Sequence, residues 1–284
     1  MGREGTGARA RRGIAQHERD DRSHAAALPV SAGRALQRER QHRLRGQLRL
    51  SAALIARSTL RIGINLGNAL LAGRDPHTGA PRGIAVDLAH ELGRHLGTGV
   101  ELVTYESAGL MADDAATGAW DAAFLAADPA RAADITFTRP YLEIEATYLV
   151  AEASPLTAAA DVDRPGIRIA VSDNSAYDLA LRRSITRAEL VRAPGVDASV
   201  DLFFAQRLDA LAGLRPLLIE VAGSRSGYRV LDGRFTSIQQ AIGARRGTDV
   251  APLDAFIEHA RCTGLVATLI DRHRVGGVTI ALQE

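Results

Sequence analysis

A segment around Arg131 carries the residue types best suited to bind a small anion. The stretch 118–131, followed by Phe-Thr-Arg-Pro-Tyr at 137–141, predicts a buried strand, a short helix with an arginine in its first turn, and an extended crossover. That order places a guanidinium beside exposed backbone amides at a strand end. A guanidinium matches the two oxygens of a carboxylate in a bidentate contact. The segment therefore predicts a carboxylate-binding site, with nothing nearby suited to covalent chemistry.

The short helix has its own start signals, since Asp128 is a capping residue and Pro129 suits the first helical position. An alternative interpretation keeps Arg131 on the surface, paired with Asp128 or Asp134.

A second anion-binding feature is predicted at Asn174, Ser175 and Ala176, which open a helix directly after an apolar strand. The N-terminus of a helix presents free N–H groups and the positive end of the helix dipole. The alternative is an ordinary N-cap by Asn174 or Ser175, and both roles are compatible.

Composition excludes several classes of enzyme. All 35 basic residues are arginine, so the sequence offers no P-loop lysine, no lysine for a Schiff base with pyridoxal phosphate and no Ser-x-x-Lys pair. The lone Cys262 can form neither an internal disulfide nor a metal cluster. We therefore expect no cofactor and no metal.

Charge is distributed unevenly along the chain. Residues 1–49 hold 12 Arg against 5 acidic residues, whereas the remainder holds 23 Arg against 28 acidic residues. Residues 1–50 are predicted to be a disordered basic leader without the apolar region of a signal peptide. We favour a misassigned start codon over a transit segment or a nucleic-acid arm, and we expect no nucleic-acid partner.

From Leu60 onward, strands alternate with helices, which predicts an α/β fold with a largely parallel sheet. Strands are predicted at 60–64, 100–103, 122–126, 167–171, 188–191, 210–212 and 229–231. The first predicted helix runs from a cap at Asp87 to Leu96 and is ended by Gly97. A second helix follows the next strand and ends at about 117. Further helices are predicted at 176–183, 198–205, 216–222, 250–263 and 265–273. Glu143 and Glu145 alternate on an extended segment.

Two extended segments, near 148–151 and 237–242, predict two similar lobes. The chain would cross from the first lobe to the second at one segment and return at the other, as in a hinged clamp. Lobe 1 is assigned to 59–148 and 238–284, and lobe 2 to 149–237. Asn65 and Asn68 would end the first strand at the cleft rim, or form a turn beside Gly67. Gln239 or Gln240 would reach the cleft, and alternation admits only one of them.

With these residues in view, the chain resembles the type II periplasmic solute-binding proteins, bacterial family 3, which includes amino-acid receptors of ABC transporters. The resemblance spans roughly 59–275 and is carried by an ordered set of motifs, at 83–89, 118–121, 128–132, 135–141, 169–177 and 208–216. It implies the two-lobe Venus-flytrap fold, ligand binding in the cleft and closure on binding.

The resemblance also implies roles for residues. Arg131 would hold the carboxylate of the ligand, the turn at 174–176 would donate to it from lobe 2, and the backbone of Ala126 and Ala127 would face it. Family members usually carry an acid, for the α-ammonium of the ligand, at the position that Leu214 occupies. They also commonly have an aromatic wall where 69–71 reads Ala-Leu-Leu. We therefore expect a ligand with a carboxylate but without the standard α-amino contact.

The function expected from the resemblance is that of a periplasmic receptor, not an enzyme, which acts as a monomer. It delivers a small carboxylate-bearing ligand, an amino acid or a related organic acid, to the permease of an ABC importer, or reports its presence to a sensor. The alternative is an enzyme on the same fold, because cyclohexadienyl (arogenate or prephenate) dehydratases resemble this family. Such an enzyme needs a general acid in the cleft, for which Glu143, Glu145 or Asp173 are the candidates.

Overall fold

The computed structural model describes residues 58–281, so the predicted leader lies outside the described residues. The longer strands in this part are β1 (Thr59–Asn65), β4 (Gly99–Tyr105), β5 (Ala122–Ala126), β7 (Leu142–Ala151), β8 (Arg168–Ser172), β9 (Glu189–Ala193), β10 (Ala210–Leu214) and β12 (Thr236–Arg245). The shorter strands are β2 (Gly73–Arg74), β3 (Pro81–Arg82), β6 (Ile135–Phe137), β11 (Tyr228–Val230) and β13 (Val278–Ile280).

The helices between these strands are α1 (Ile84–Leu96), α2 (Ala108–Asp113), α3 (Ala176–Ser184), α4 (Val196–Ala205), α5 (Arg215–Ser224), α6 (Ala251–Cys262) and α7 (Leu265–His273). Two 3₁₀ turns add Arg131–Ala133 and Ala159–Asp161.

The main sheet runs in the order β4-β1-β5-β12-β7-β10-β8-β9. In the first half, β4, β1 and β5 are parallel, and in the second half β10, β8 and β9 are parallel. The ten-residue strands β7 and β12 pair antiparallel at the middle and connect the two halves. The α/β class and the two connecting segments are therefore confirmed, while the lobe boundaries at 148/149 and 237/238 stay a prediction.

Strands β5 and β10, which flank the central pair, are continuous apolar runs because both of their faces are covered. Every residue of β5 and of β10 is buried. Parallel strands sandwiched between helices require this composition. Strand β5 has the predicted bounds for the same reason.

Helix α1 ends as predicted at Gly97, which has the left-handed conformation (φ 68°), but the predicted cap at Asp87 is wrong. The helix begins after Gly83, whose φ of 122° and close approach to the Leu71 carbonyl leave no room for a side chain. Asp87 instead lies in the first turn, and its Oδ2 is 2.9 Å from Nε2 of His273.

The predicted helix up to Thr117 is also too long, since α2 ends at Asp113. The carboxylate of Asp114 accepts a hydrogen bond from the Tyr105 hydroxyl at 2.8 Å, which ties the end of the helix to β4. Trp120 is buried, and its indole N–H donates to the carbonyl of Met111.

Candidate functional site

A cavity of about 590 Å³, measured out to its open mouth, lies between the two halves of the sheet. It is lined from the first half and β12 by Asn65, Gly67, Asn68, Glu106, Ser107, Ala108, Ala126, Arg131, Ile238 and Gln240. From the second half it is lined by Ser172, Asp173, Ser175, Ala176, Tyr177, Gly195, Val196, Leu214 and Leu217.

Strand ends position most of this lining. Asn65 ends β1, Ala126 ends β5, Ser172 ends β8 and Leu214 ends β10. In open α/β sheets, ligands bind outside the carboxyl ends of the strands. Here two such edges face each other across one gap.

Arg131 is buried in this lining, with 6% of its surface exposed. Its Nη1 donates to the Ala126 carbonyl and its Nη2 to the Asn174 carbonyl, each at 2.9 Å. A guanidinium has five N–H donors, so three remain for a ligand. Burial lowers the pKa of Arg131 from 12.5 to about 10, so the side chain stays cationic at neutral pH.

The turn that carries Arg131 is a 3₁₀ turn rather than an α-helix. Asp128 opens it, because its Oδ1 accepts a hydrogen bond from the Ala130 N–H at 2.8 Å. The same carboxylate forms a bidentate ion pair with Arg183 of α3, at 2.9 and 2.8 Å. The surface alternative for Arg131 does not fit, because its guanidinium is buried and donates to two carbonyls.

The start of α3 combines capping with unused backbone donors. Ser175 is the N-cap, and its Oγ accepts a hydrogen bond from the Asp178 N–H at 3.1 Å. The Asn174 N–H donates to the buried carboxylate of Asp178 at 3.0 Å. Within residues 58–281, the N–H groups of Ala176 and Tyr177 have no hydrogen-bond acceptor, and both residues line the cavity.

Asn65 and Asn68 differ in the hydrogen bonding of their side-chain amide oxygens. The Oδ1 of Asn65 accepts a hydrogen bond from the Gly67 N–H at 3.0 Å, which is the predicted turn alternative. The Oδ1 of Asn68 is buried, and no described residue donates to it. Both residues line the cavity, and Asn68 offers the open acceptor.

The register of β12 decides between the two glutamines. Gln240 lines the cavity and is 4% exposed, whereas Gln239 does not line it. The Gln239 carbonyl accepts a hydrogen bond from the Ala127 N–H at 2.9 Å. Successive residues of a strand point to opposite faces, so Gln239 is directed away.

Three of the predicted site residues therefore lie outside the cavity lining: Ala127, Asn174 and Gln239. Asn174 turns away because it has a left-handed conformation, with φ of 54°, and only its carbonyl contacts Arg131. The structure brings together Asn65, Asn68, Ala126, Arg131, Ser175, Ala176 and Leu214. Their contacts with a ligand stay predictions.

Leu214 is 5% exposed and belongs to an apolar wall with Val196, Leu217 and Ile238. The two acidic residues of the lining stand elsewhere, and their side chains are partly or largely exposed. Glu106 is 75% exposed and pairs with Arg74 at 3.2 Å, while Asp173 is 43% exposed and pairs with Arg182 at 2.7 Å.

Sequence reasoning missed several residues of the lining, including Ser107, Ala108, Gly195, Val196 and Leu217. Ala108 and Val196 open α2 and α4, each after a strand. The signal used for Ala176, a helix that starts at a strand end, could have found both.

Glu143 and Glu145 lie on β7 and do not line the cavity. Oε2 of Glu143 accepts a hydrogen bond from the Ser237 hydroxyl at 2.9 Å. Glu145 bonds Arg234 and Arg215, both at 2.8 Å, and these hydrogen bonds lower its pKa. A carboxyl held ionised in this way is unsuited to act as a general acid.

Residues 58–281 contain neither a metal-binding cluster nor a membrane-spanning helix. No group of three or more His, Cys, Asp and Glu side chains could hold a metal ion. None of the helices in this part has the length and apolar character needed to cross a membrane.

Comparisons with known proteins agree on the fold. The L-cysteine solute receptor of Neisseria gonorrhoeae superposes with a TM-score of 0.69 at 21% identity, over 80% of this chain and 94% of that one. A mutant of ArgBP from T. maritima gives a TM-score of 0.66 at 20% identity, over 79% of this chain and 99% of that one. The ancestral amino-acid-binding protein AncCDT-1, a precursor of cyclohexadienyl dehydratase, gives 0.66 at 21% identity, over 78% and 97%.

No curated protein matches the chain in sequence. The family model of the bacterial extracellular solute-binding proteins, family 3, matches residues 60–274, well over half of the chain. The two half-sheets joined by β7 and β12 have the mixed α/β fold of the type II periplasmic binding proteins. The chain belongs to the bacterial extracellular solute-binding proteins of family 3.

Proposed function

We propose that this protein is a receptor that captures a small carboxylate in the cleft and closes around it. The observation that carries the proposal is the position of Arg131, a buried cation in the cleft lining with N–H donors to spare. The free N–H groups at the start of α3 face the same space from the other half. Together they supply a charged and a neutral set of donors for one anionic group.

The ligand in this proposal lacks an α-ammonium group. Leu214 offers no charge at the position where amino-acid receptors of the family carry an acid, and the two acids of the lining already pair with Arg74 and Arg182. A charge left unpaired in a closed cleft costs about 3–5 kcal/mol. A zwitterionic ligand would bear that cost, and a plain organic acid would not.

Contacts between the two halves support binding by closure. Arg131 donates across the gap to the Asn174 carbonyl, and Asp128 pairs across it with Arg183. Both contacts would break if the halves separated about β7 and β12. Paired crossover strands at the base of a cleft are suited to act as a hinge.

The expected partner is the permease of an ABC importer, and the expected place of action is outside the cytoplasmic membrane. Support comes from the family, described as extracellular, and from solved relatives described as receptors of amino-acid ABC transporters. The protein is expected to act as a monomer and not as an enzyme.

A ligand screen tests the proposal. Purified protein would be titrated by calorimetry with plain organic acids and with amino acids, alongside mass spectrometry of small molecules that remain bound through purification. We expect binding of acids that lack an α-amino group. Binding restricted to zwitterionic amino acids would refute the ligand class.

A dehydratase on this fold is the alternative, and one observation favours it. Asp173 is the candidate acid that lines the cavity, although Arg182 already engages it. A solved relative is described as a precursor of cyclohexadienyl dehydratase. Turnover of prephenate, followed by absorbance, would support the enzyme, whereas stoichiometric binding without turnover supports the receptor.

A further inference from the structure

Gln240 presents its side-chain amide to the cleft. It is 4% exposed and lines the cleft; among the described residues none bonds its side-chain amide, whose atoms are not fully enclosed by protein. A ligand that covers these amide atoms must supply a hydrogen-bond partner, because burying an amide without one is costly. The partner for Gln240 would come from the ligand.

The amide stands next to the predicted carboxylate site. Gln240 on β12 lies directly opposite Ala126 on β5, and the Ala126 carbonyl holds the guanidinium of Arg131. Side chains opposite each other in an antiparallel pair have Cβ atoms about 5 Å apart. A carboxylate on Arg131 therefore brings its neighbouring carbon within reach of Gln240.

A second cavity, lined mostly by apolar residues, lies in the second half of the molecule and borders the cleft. This cavity, about 280 Å³ when open solvent at its mouth is included, shares Tyr177, Val196, Leu214 and Leu217 with the cleft. It extends between α4, β10 and α5 to Val200 and Val221. We call this second cavity the side chamber. Its lining suits an aliphatic or aromatic group.

We propose that the ligand is a 2-oxo or 2-hydroxy monocarboxylate whose apolar side chain enters the side chamber, and that Gln240 recognises the oxygen on carbon 2. This inference rests on the proposed function. The Gln240 amide can donate to a keto oxygen and accept from a hydroxyl group. It carries no charge and therefore does not compensate an ammonium group. Arg131 is the one cation among the described lining residues, which favours one carboxylate over two.

Five compounds test the assignment by calorimetry: 4-methyl-2-oxopentanoate, 2-hydroxy-4-methylpentanoate, 4-methylpentanoate, leucine and pyruvate. We expect the oxo and hydroxy acids to bind about tenfold or more tightly than 4-methylpentanoate and leucine, because 4-methylpentanoate leaves Gln240 without a partner and leucine buries an ammonium charge that nothing compensates. Pyruvate should bind more weakly, since each buried methylene strengthens binding roughly threefold to fourfold.

Substitutions separate the two recognition elements. Gln240→Leu should abolish the preference for the oxygen on carbon 2, while Gln239→Leu, one residue away on the opposite face, should keep it. Val221→Phe should fill the side chamber and lower the affinity for 4-methyl-2-oxopentanoate about tenfold. The affinity for pyruvate should fall far less. Ile219→Phe on the same helix is the control, because Ile219 is 55% exposed.

The outcomes distinguish this inference from the proposed function. If carboxylates bind in an Arg131-dependent manner but the oxo and hydroxy acids show no advantage, the inference is overturned and the proposed function stands. If no carboxylate binds, or binding ignores Arg131, the proposed function itself fails. Should Gln240→Leu fail to fold, the ranking of the five compounds on the wild-type protein still decides.

Discussion

At Arg131 the guanidinium has already lost its water and bonds two carbonyls, one from each half of the molecule. The free-energy cost of removing water from the guanidinium is therefore already included in folding. Its remaining N–H donors are held in fixed directions. Preorganised donors in a site shielded from water bind anions more tightly than flexible surface arginines do. The affinity of the site should accordingly depend on this one side chain.

Arg131→Ala should weaken carboxylate binding by roughly 100-fold or more, because a buried charge-assisted contact worth about 3 kcal/mol is lost. Calorimetry with the best acid of the ligand screen measures the change. Arg187→Ala, at an exposed position in the second half, is the matched control and should bind as the wild type does. An unchanged affinity in Arg131→Ala would contradict the assignment of the site.

At the scale of single elements, Asp163 shows how one carboxylate fixes a strand pair. It precedes β8 and accepts hydrogen bonds from the N–H groups of Thr186, Arg187 and Ala188, which lead into β9. These bonds hold the pKa of Asp163 far below its usual 3.8. The ionised carboxylate thereby aligns the first residues of two parallel strands.

Asp163→Asn should lower the melting temperature at pH 7 and flatten its dependence on acid. A carboxyl with a depressed pKa in the folded state contributes stability above its unfolded pKa, and that stability is lost as pH falls through the folded value. The wild type should therefore lose the difference progressively below about pH 4. Thermal melts from pH 7 to pH 2 check this, with the exposed Asp201→Asn as control.

Two helical glycines should respond to alanine in opposite directions. A Cβ on Gly93 of α1 would collide with Val100 of β4, whereas a Cβ on Gly223 of α5 meets nothing within 4 Å. Gly93→Ala should lose about 1–3 kcal/mol by overpacking. Gly223→Ala should gain up to about 1 kcal/mol from helix propensity. Urea unfolding of both variants measures the change in the free energy of unfolding. Equal changes in the two variants would contradict the packing argument.

The elements also show what the sequence could and could not predict. Strand β5 was predicted to the residue because a fully buried strand is an unbroken apolar run between polar ends. The start of α1 was missed because Gly83 owes its role to the nearby carbonyl of Leu71, a contact distant in sequence. The choice of Gln240 over Gln239 needed the register against β5, which a single strand does not contain.

At the scale of the whole molecule, the cleft is held by contacts that depend on the two halves being close. The carboxylate of Asp128 is almost fully buried, and Arg183 bonds both of its oxygens from the other half. The Arg131 contact with Asn174 lies beside it. In the proposed receptor, ligand affinity would be coupled to closure, because a cleft that is closed only part of the time binds in proportion to that fraction.

Arg183→Leu should weaken ligand binding by about threefold to tenfold without removing any residue of the cavity lining. The partly exposed pair stabilises closure only modestly, so the loss should be smaller than for Arg131→Ala. The change should appear mainly in the dissociation rate, since an ion pair formed only on closure slows reopening. Small-angle scattering should show a larger radius of gyration for the unliganded variant, restored by saturating ligand. Arg187→Leu, on the same half, should leave both quantities unchanged. If Arg183→Leu releases ligand at the wild-type rate, the ion pair does not hold the closed state.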